Sequence, residues 1–198
     1  MMRLIALLLS LAVCLAGCGQ TPEEKAVSAI VRLGGKVEKA NKLLWPPVVG
    51  VDLRNTNTTD AGLKDLKELK GLQHLNLSNT QITDAGLKEL EEFKSLQTLD
   101  LRNTKITDAG LKELKQLKDL EWLLLGKSQI TDGGLQELKE LKGLQSLHLG
   151  DSKITDAGMK DLKELKGLLS LSLYGTKITD AGLKDLKQAL PNTRVYGP

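Results

Sequence analysis

Aliphatic residues recur along this chain with a period of 24 residues, without a gap, from Val48 to Pro191. Six copies of the unit begin at Val48, Leu72, Leu96, Leu120, Leu144 and Leu168. The third reads LQTLDLRNTKITDAGLKELKQLKD, from Leu96 to Asp119. Its opening LxxLxL alternates apolar and polar residues, which predicts a short strand. Leu111, Leu114 and Leu117 then fall three apart, along one stripe of a helix. Each unit is thus a strand, a tight turn, a helix and a return. One such unit cannot bury its apolar face alone, so stability must come from stacked neighbours.

The polar positions punctuate these elements. Thr107 or Asp108 is placed to cap the helix start, where a short side-chain oxygen accepts from a free backbone N–H. Aspartate also suits the positive end of the helix dipole. Asp108 lies four residues before Lys112, the spacing of a favourable helical ion pair. Gly71, Gly143 and Gly167 stand where left-handed caps would end three helices. For the third unit the predicted core is Leu96, Leu99, Leu101, Ile106, Leu111, Leu114 and Leu117. The core is almost wholly aliphatic, consistent with 3% aromatic content.

A hydroxyl ladder also follows the period: Thr56, Thr80, Thr104, Ser128, Ser152 and Thr176. Buried hydroxyls need partners, and backbone groups of the strand-to-helix turn are the nearest. No histidine recurs with them to activate a nucleophile.

The string ITDAGLKEL after LxxLxL resembles the cysteine-containing leucine-rich repeat subclass of F-box-type proteins, with Thr or Ser at the cysteine position. It is still more similar to the repeats of exported bacterial leucine-rich repeat lipoproteins. The resemblance covers residues 48–191. It implies an α/β fold: a right-handed β-α solenoid with a short parallel concave sheet and helices on the convex side. Strand spacing of about 4.8 Å against helix spacing of about 8–10 Å requires that curvature. Nothing before Val48 looks like an F-box, so a ubiquitin-adaptor role is not carried over.

The N-terminus reads differently. Arg3 precedes an apolar run from Leu4 to Leu15, too short to span a bilayer and suited to a signal-peptide core. Leu15-Ala16-Gly17-Cys18 resembles the bacterial lipobox. That resemblance implies cleavage before Cys18 and acylation of its thiol, and Gly19 favours the outer membrane. Cys14 would leave with the signal, so the mature chain would hold no intramolecular disulfide. Thr21-Pro22-Glu23-Glu24 is a capping-box start. It opens a helix with Ala26, Val27, Ile30 and Val31 as its apolar stripe, stopped by Gly34-Gly35. Lys36 to Lys39 offers an edge strand, and Trp45 a shield for the first unit. The expected organisation is a signal over 1–17, a lipidated N-terminus and helical cap over 18–47, repeats over 48–191, and a C-terminal edge over 192–198.

Charge singles out no partner. The formal net charge is +3, and loss of Arg3 lowers it by one. Lysines such as Lys64, Lys67 and Lys70 alternate with Asp65 and Glu68, the pattern of a solvated surface. Nucleic acid would require a single-sign patch, and the export signal argues against access to it. His74 and His148 are three strands apart, roughly 14 Å, too far for one metal ion. Asp52 and Asp100 stand roughly 10 Å apart, too wide for a working carboxylate pair. The glycines of the DAG triplets (Gly62, Gly86, Gly110, Gly134, Gly158, Gly182) are read as permitting close strand–helix approach. The aspartates beside them, from Asp60 to Asp180, are read as helix caps rather than calcium ligands. No catalytic residue, metal or cofactor is expected.

Copies disagree most on the concave face. Trp122 and Leu124 place two apolar residues at its centre, with Thr98, Asp100, Arg102, Ser146 and His148 as a polar rim and Tyr174 beyond. An aromatic anchor within a polar rim is the composition of a protein-binding hot spot. The expected function is a non-catalytic interaction module, anchored through Cys18 on the periplasmic or outer-membrane side of the cell envelope. Its partner is a protein or peptide on the concave face. The alternative is a structural envelope component that binds itself or cell-wall glycan.

Overall fold

A computed structural model describes residues 20–40 and 46–197. Cys14, Cys18 and Trp45 lie outside the described residues. Eight strands form one sheet in chain order: β1 (Lys36–Lys39), β2 (Val48–Asp52), β3 (His74–Asn76), β4 (Thr98–Asp100), β5 (Trp122–Leu124), β6 (Ser146–His148), β7 (Ser170–Ser172) and β8 (Arg194–Tyr196). β1 runs antiparallel to β2, and the rest are parallel. His74, Thr98, Trp122, Ser146 and Ser170 pair in one register, so the sequence period becomes a row across the sheet. The edge strands expected at both ends are present.

The core follows the pattern. Leu96, Leu99, Leu101, Ile106, Leu111, Leu114 and Leu117 are all fully buried. Five ladder hydroxyls, of Thr56, Thr80, Thr104, Ser128 and Thr176, donate to the carbonyl three residues back at 2.5–2.7 Å. The Ser152 hydroxyl is the exception, buried without a partner.

The convex side departs from regular helix. Asp108–Leu111 is a single α-helical turn that tightens into a 3₁₀ segment, Lys112–Gln116. The fourth repeat is 3₁₀ throughout Asp132–Glu140. Leucines three apart match three residues per turn better than 3.6. Gly133-Gly134, where other copies have Ala-Gly, weakens the α form further. Among the described residues, Asp180–Ala189 alone is a longer α-helix on this side.

Gly71, Gly143 and Gly167 are not left-handed caps, because these segments close on three-residue turns such as Leu144 N–H to Leu141 carbonyl, 3.1 Å. At Gly143 a Cβ would stand 3.1 Å from the Lys118 carbonyl oxygen, so close approach is its constraint. The left-handed residues instead precede the hydroxyl ladder: Asn55, Asn79, Asn103, Lys127, Asp151 and Gly175. Asparagine tolerates this conformation. Asn79 and Asn103 each donate a side-chain bond to the preceding asparagine, at 2.8 and 2.7 Å.

The aspartate row also differs from expectation. Threonine is the cap: Thr107 accepts from Ala109 N–H while Asp108 follows inside the turn. Five of the six aspartates reach forward one repeat. Asp108 accepts from Thr131 N–H at 2.8 Å and from its hydroxyl at 2.5 Å. Asp60, Asp84, Asp132 and Asp156 hold Thr83, Thr107, Thr155 and Thr179 in the same way. The DAG glycines make room for this clamp rather than for a strand. A Cβ at Gly86, Gly110, Gly134, Gly158 or Gly182 would overlap the preceding repeat's carboxylate. Asp108 is thereby occupied, and Lys112 approaches Glu113 at 4.0 Å instead of Asp108.

The first repeat is covered by α1 (Pro22–Arg32), which has the full capping box: Thr21 accepts from Glu24 N–H, and Glu24 accepts from Thr21 N–H. Ala26, Ala29 and Ile30 are buried, whereas Val31 is 62% exposed, so the stripe lies one position away from that expected. Gly34 ends the helix at φ 83°. Gly35 is needed for packing, since a Cβ there would lie 2.6 Å from Leu53. Among the described residues no helix is long and apolar enough to cross a membrane.

Candidate functional site on the concave face

Side chains that alternate away from the core line the concave face in rows. The first is Gly50, His74, Thr98, Trp122, Ser146, Ser170 and Arg194. The second is Asp52, Asn76, Asp100, Leu124, His148, Ser172 and Tyr196. Trp122 is 53% exposed, and Leu124 is half-buried one row above it.

These two residues bound one side of a shallow hollow of about 510 Å³ that runs from β5 back to β1. They close the β5 end of this hollow, on the middle strand of the parallel part of the sheet. Gly50, His74, Asn76, Thr98 and Asp100 line its floor, with Lys36 and Glu38 at the far side. Glu38 lies over Gly50, where a Cβ would approach it at 2.9 Å. His74 Nδ1 and the Thr98 hydroxyl are 3.2 Å apart.

Asp100 is only 5% exposed, and so is not part of a rim. Arg102 forks onto it through Nε at 3.0 Å and Nη2 at 2.6 Å. The Asp-Leu-Arg of the first repeat does the same, with Arg54 on Asp52 at 2.7 Å. The Arg54 hydrogen bond holds the Asp52 carboxyl below its ordinary range. The Asp100 hydrogen bond holds the Arg102 guanidinium above its own. Both carboxylates are thus already paired with a guanidinium, which suits fixed polarity rather than proton transfer.

Arg102 and His148 belong to a second hollow, about 490 Å³, at the edge where the strands end, with Asn55, Asn79, Asn103, Lys127 and Asp151. The His148 ring lies across Gly126, where a Cβ would fall 2.7 Å from it. Its Nδ1 is buried without a partner. Burial first, and then Arg102, push this imidazole below its ordinary pKa.

The structure thus divides the residues singled out from sequence. Trp122, Leu124, Thr98 and Asp100 share the first hollow, and Arg102 and His148 share the second. Ser146 pairs beside Trp122 but lies outside the first hollow's lining. Tyr174, 68% exposed, stands apart in the seventh strand's exit turn. Lys36, Glu38, Gly50 and His74 were not singled out. Neither was Leu169, which is 59% exposed where the four preceding copies carry Gln73, Gln97, Glu121 and Gln145 and the first carries Val49. Comparing copies position by position would have flagged Leu169. Among the described residues, no group of histidine, cysteine, aspartate or glutamate side chains is placed to hold a metal ion.

Residues 49–194 match the model of a leucine-rich repeat region. The chain belongs to the leucine-rich repeat family. A leucine-rich repeat protein from Leptospira interrogans is 31% identical, with a TM-score of 0.53, over 67% of this chain and 33% of that one. The chain therefore spans about a third of that protein's length. An internalin C2 from Listeria monocytogenes is 20% identical, with a TM-score of 0.53, over 89% of this chain and 94% of that one, and shares the fold. None of the curated proteins matches. Leucine-rich repeat domains are typically protein-binding modules without catalysis.

Proposed function

We propose that this protein is a non-catalytic interaction module of a bacterial cell envelope, lipid-anchored at Cys18, whose concave face binds a protein or peptide. The observation that carries the binding surface is Trp122. A half-exposed indole beside Leu124, at the wall of the first hollow with Asn76, Thr98 and Asp100 in its lining, has the makeup of a binding anchor. The arginine–aspartate forks on β2 and β4 are pre-formed, so little ordering is needed when a ligand arrives. The anchor rests on the lipobox-like Leu15-Ala16-Gly17-Cys18.

Two measurements test this reading. Pull-down from membrane extract should yield a stoichiometric protein partner, lost in Trp122→Ala while thermal stability is nearly unchanged. Undiminished capture by that variant would remove the concave site. Retention on cell-wall glycan instead would favour the structural role. Radiolabelled fatty acid should enter the wild-type chain and not Cys18→Ser; equal labelling would sink the anchor.

A further inference from the structure

The two long edges of the solenoid differ. At the edge where the strands end, Arg54 and Arg102 are tied to their own carboxylates. At the edge where the strands begin, each of five repeats places a lysine between two buried residues. Lys70 follows Leu69 and precedes Leu72; Lys94, Lys118, Lys142 and Lys166 stand likewise, and all five are exposed. Flanked so closely by core residues, their side chains must protrude from that edge. The next residues are Gly71, Ser95, Asp119, Gly143 and Gly167, mostly small with one acid among them. Lys70 approaches Glu92 at 3.1 Å, and Lys166 donates to the Ala189 carbonyl at 3.3 Å. Among the described residues Lys94, Lys118 and Lys142 enter no ion pair.

The N-terminal helix fixes where the anchored end leaves the fold. α1 runs antiparallel to the first convex segment. Its last turn packs Leu33 at Gly62, where that segment begins. In its first turn Glu23 accepts from Val48 N–H at 3.1 Å, where the first repeat strand begins. Gln20 and Thr21 therefore emerge at the lysine edge. Three residues extend at most about 10 Å, so an acyl group on Cys18 would hold this edge near a bilayer. That distance is about one screening length at 0.1 M salt.

We infer that the strand-start edge is a membrane-facing surface, with Lys70, Lys94, Lys118, Lys142 and Lys166 set against anionic phospholipid headgroups. The inference rests on the Cys18 anchor. The strands then run away from the bilayer, and the concave face with Trp122 opens sideways to the surrounding space. Juxtamembrane basic rows gain attraction from anionic lipid in this way.

The test uses the acylated full chain in vesicles of phosphatidylcholine with phosphatidylglycerol, floated on a gradient and exposed to a membrane-impermeant amine reagent. Lys94, Lys118 and Lys142, which enter no ion pair among the described residues, should react several-fold more slowly than Lys64 and Lys88 on the convex side. In the soluble Cys18→Ser protein the two sets should react alike. Floating protein with equally reactive sets overturns the orientation and leaves the anchor standing. Slow edge lysines in Cys18→Ser as well would make the protection intrinsic and also overturn it. Wild-type protein absent from the floating fraction removes the anchor, and the orientation with it.

Discussion

The clamp row and the concave rows are built from the same repeats and differ in kind. From Asp60 to Asp156 the clamp is drawn five times, with N–H to carboxylate distances of 2.8–2.9 Å. Across the concave face, by contrast, neighbours in one row include His74, Thr98, Trp122 and Ser146. The clamp aspartates recur and find their partners in the neighbouring copy. Trp122 breaks its row and stays 53% exposed, open to another molecule.

Substitutions within the clamp put the first half of that contrast to the proof. Asp108→Ala would leave the Thr131 N–H and hydroxyl without their acceptor in a partly buried place, a loss of about 1–3 kcal/mol. Asp180 has the same place in its own repeat but no following repeat to hold, and it is exposed. Asp180→Ala should change stability by less than about 0.5 kcal/mol. Chemical denaturation of both variants decides it: equal losses would mean that the aspartates act inside their own turns. The smaller, second contrast lies in the hydroxyl ladder. Ser128→Ala gives up a bond to the Leu125 carbonyl and should cost about 1 kcal/mol. Ser152→Ala removes a buried hydroxyl with no partner, so it should be neutral or stabilising in the same denaturation assay.

These cases show what was legible beforehand. The alternation in LxxLxL and the triplet-spaced leucines located strands and core, because those patterns act within one unit. The Thr21–Glu24 box was legible for the same reason. The clamp was not, because Asp108 and Thr131 are 23 residues apart and meet only when the units stack. Read inside a single unit, the aspartate looks like a cap and the glycine like a packing residue. The 3₁₀ segments were half visible, since leucines exactly three apart already fit a three-residue turn. On the concave face Trp122 was legible as the residue that breaks the row. The hollow beside it was not, because β1 folds back antiparallel and brings Lys36 and Glu38 over Gly50. Asp100 was misplaced for a local reason: Arg102, two residues on, covers it.

The smallest effect concerns His148, a concave residue whose partner lies within the protein. Its ring rests on Gly126 in a slot left open where Arg54 and Arg102 stand in other copies. Burial and the nearby Arg102 disfavour the imidazolium, while Asp100 and Asp151 oppose them less strongly. The folded state thus binds this proton less readily than the unfolded chain does. The neutral ring's contribution is present above the unfolded value, about 6.5. It is lost as pH falls from there through the lower folded value, because the unfolded chain takes up the proton first. Thermal melts of the wild type should therefore decline over that window, and His148→Asn should flatten this part of the profile without altering it near pH 8. A wild-type profile that stayed level below 6.5 would mean that the ring swings out to solvent and carries its charge freely. His148 would then be one more variable side chain on the binding face, rather than a residue held by the fold.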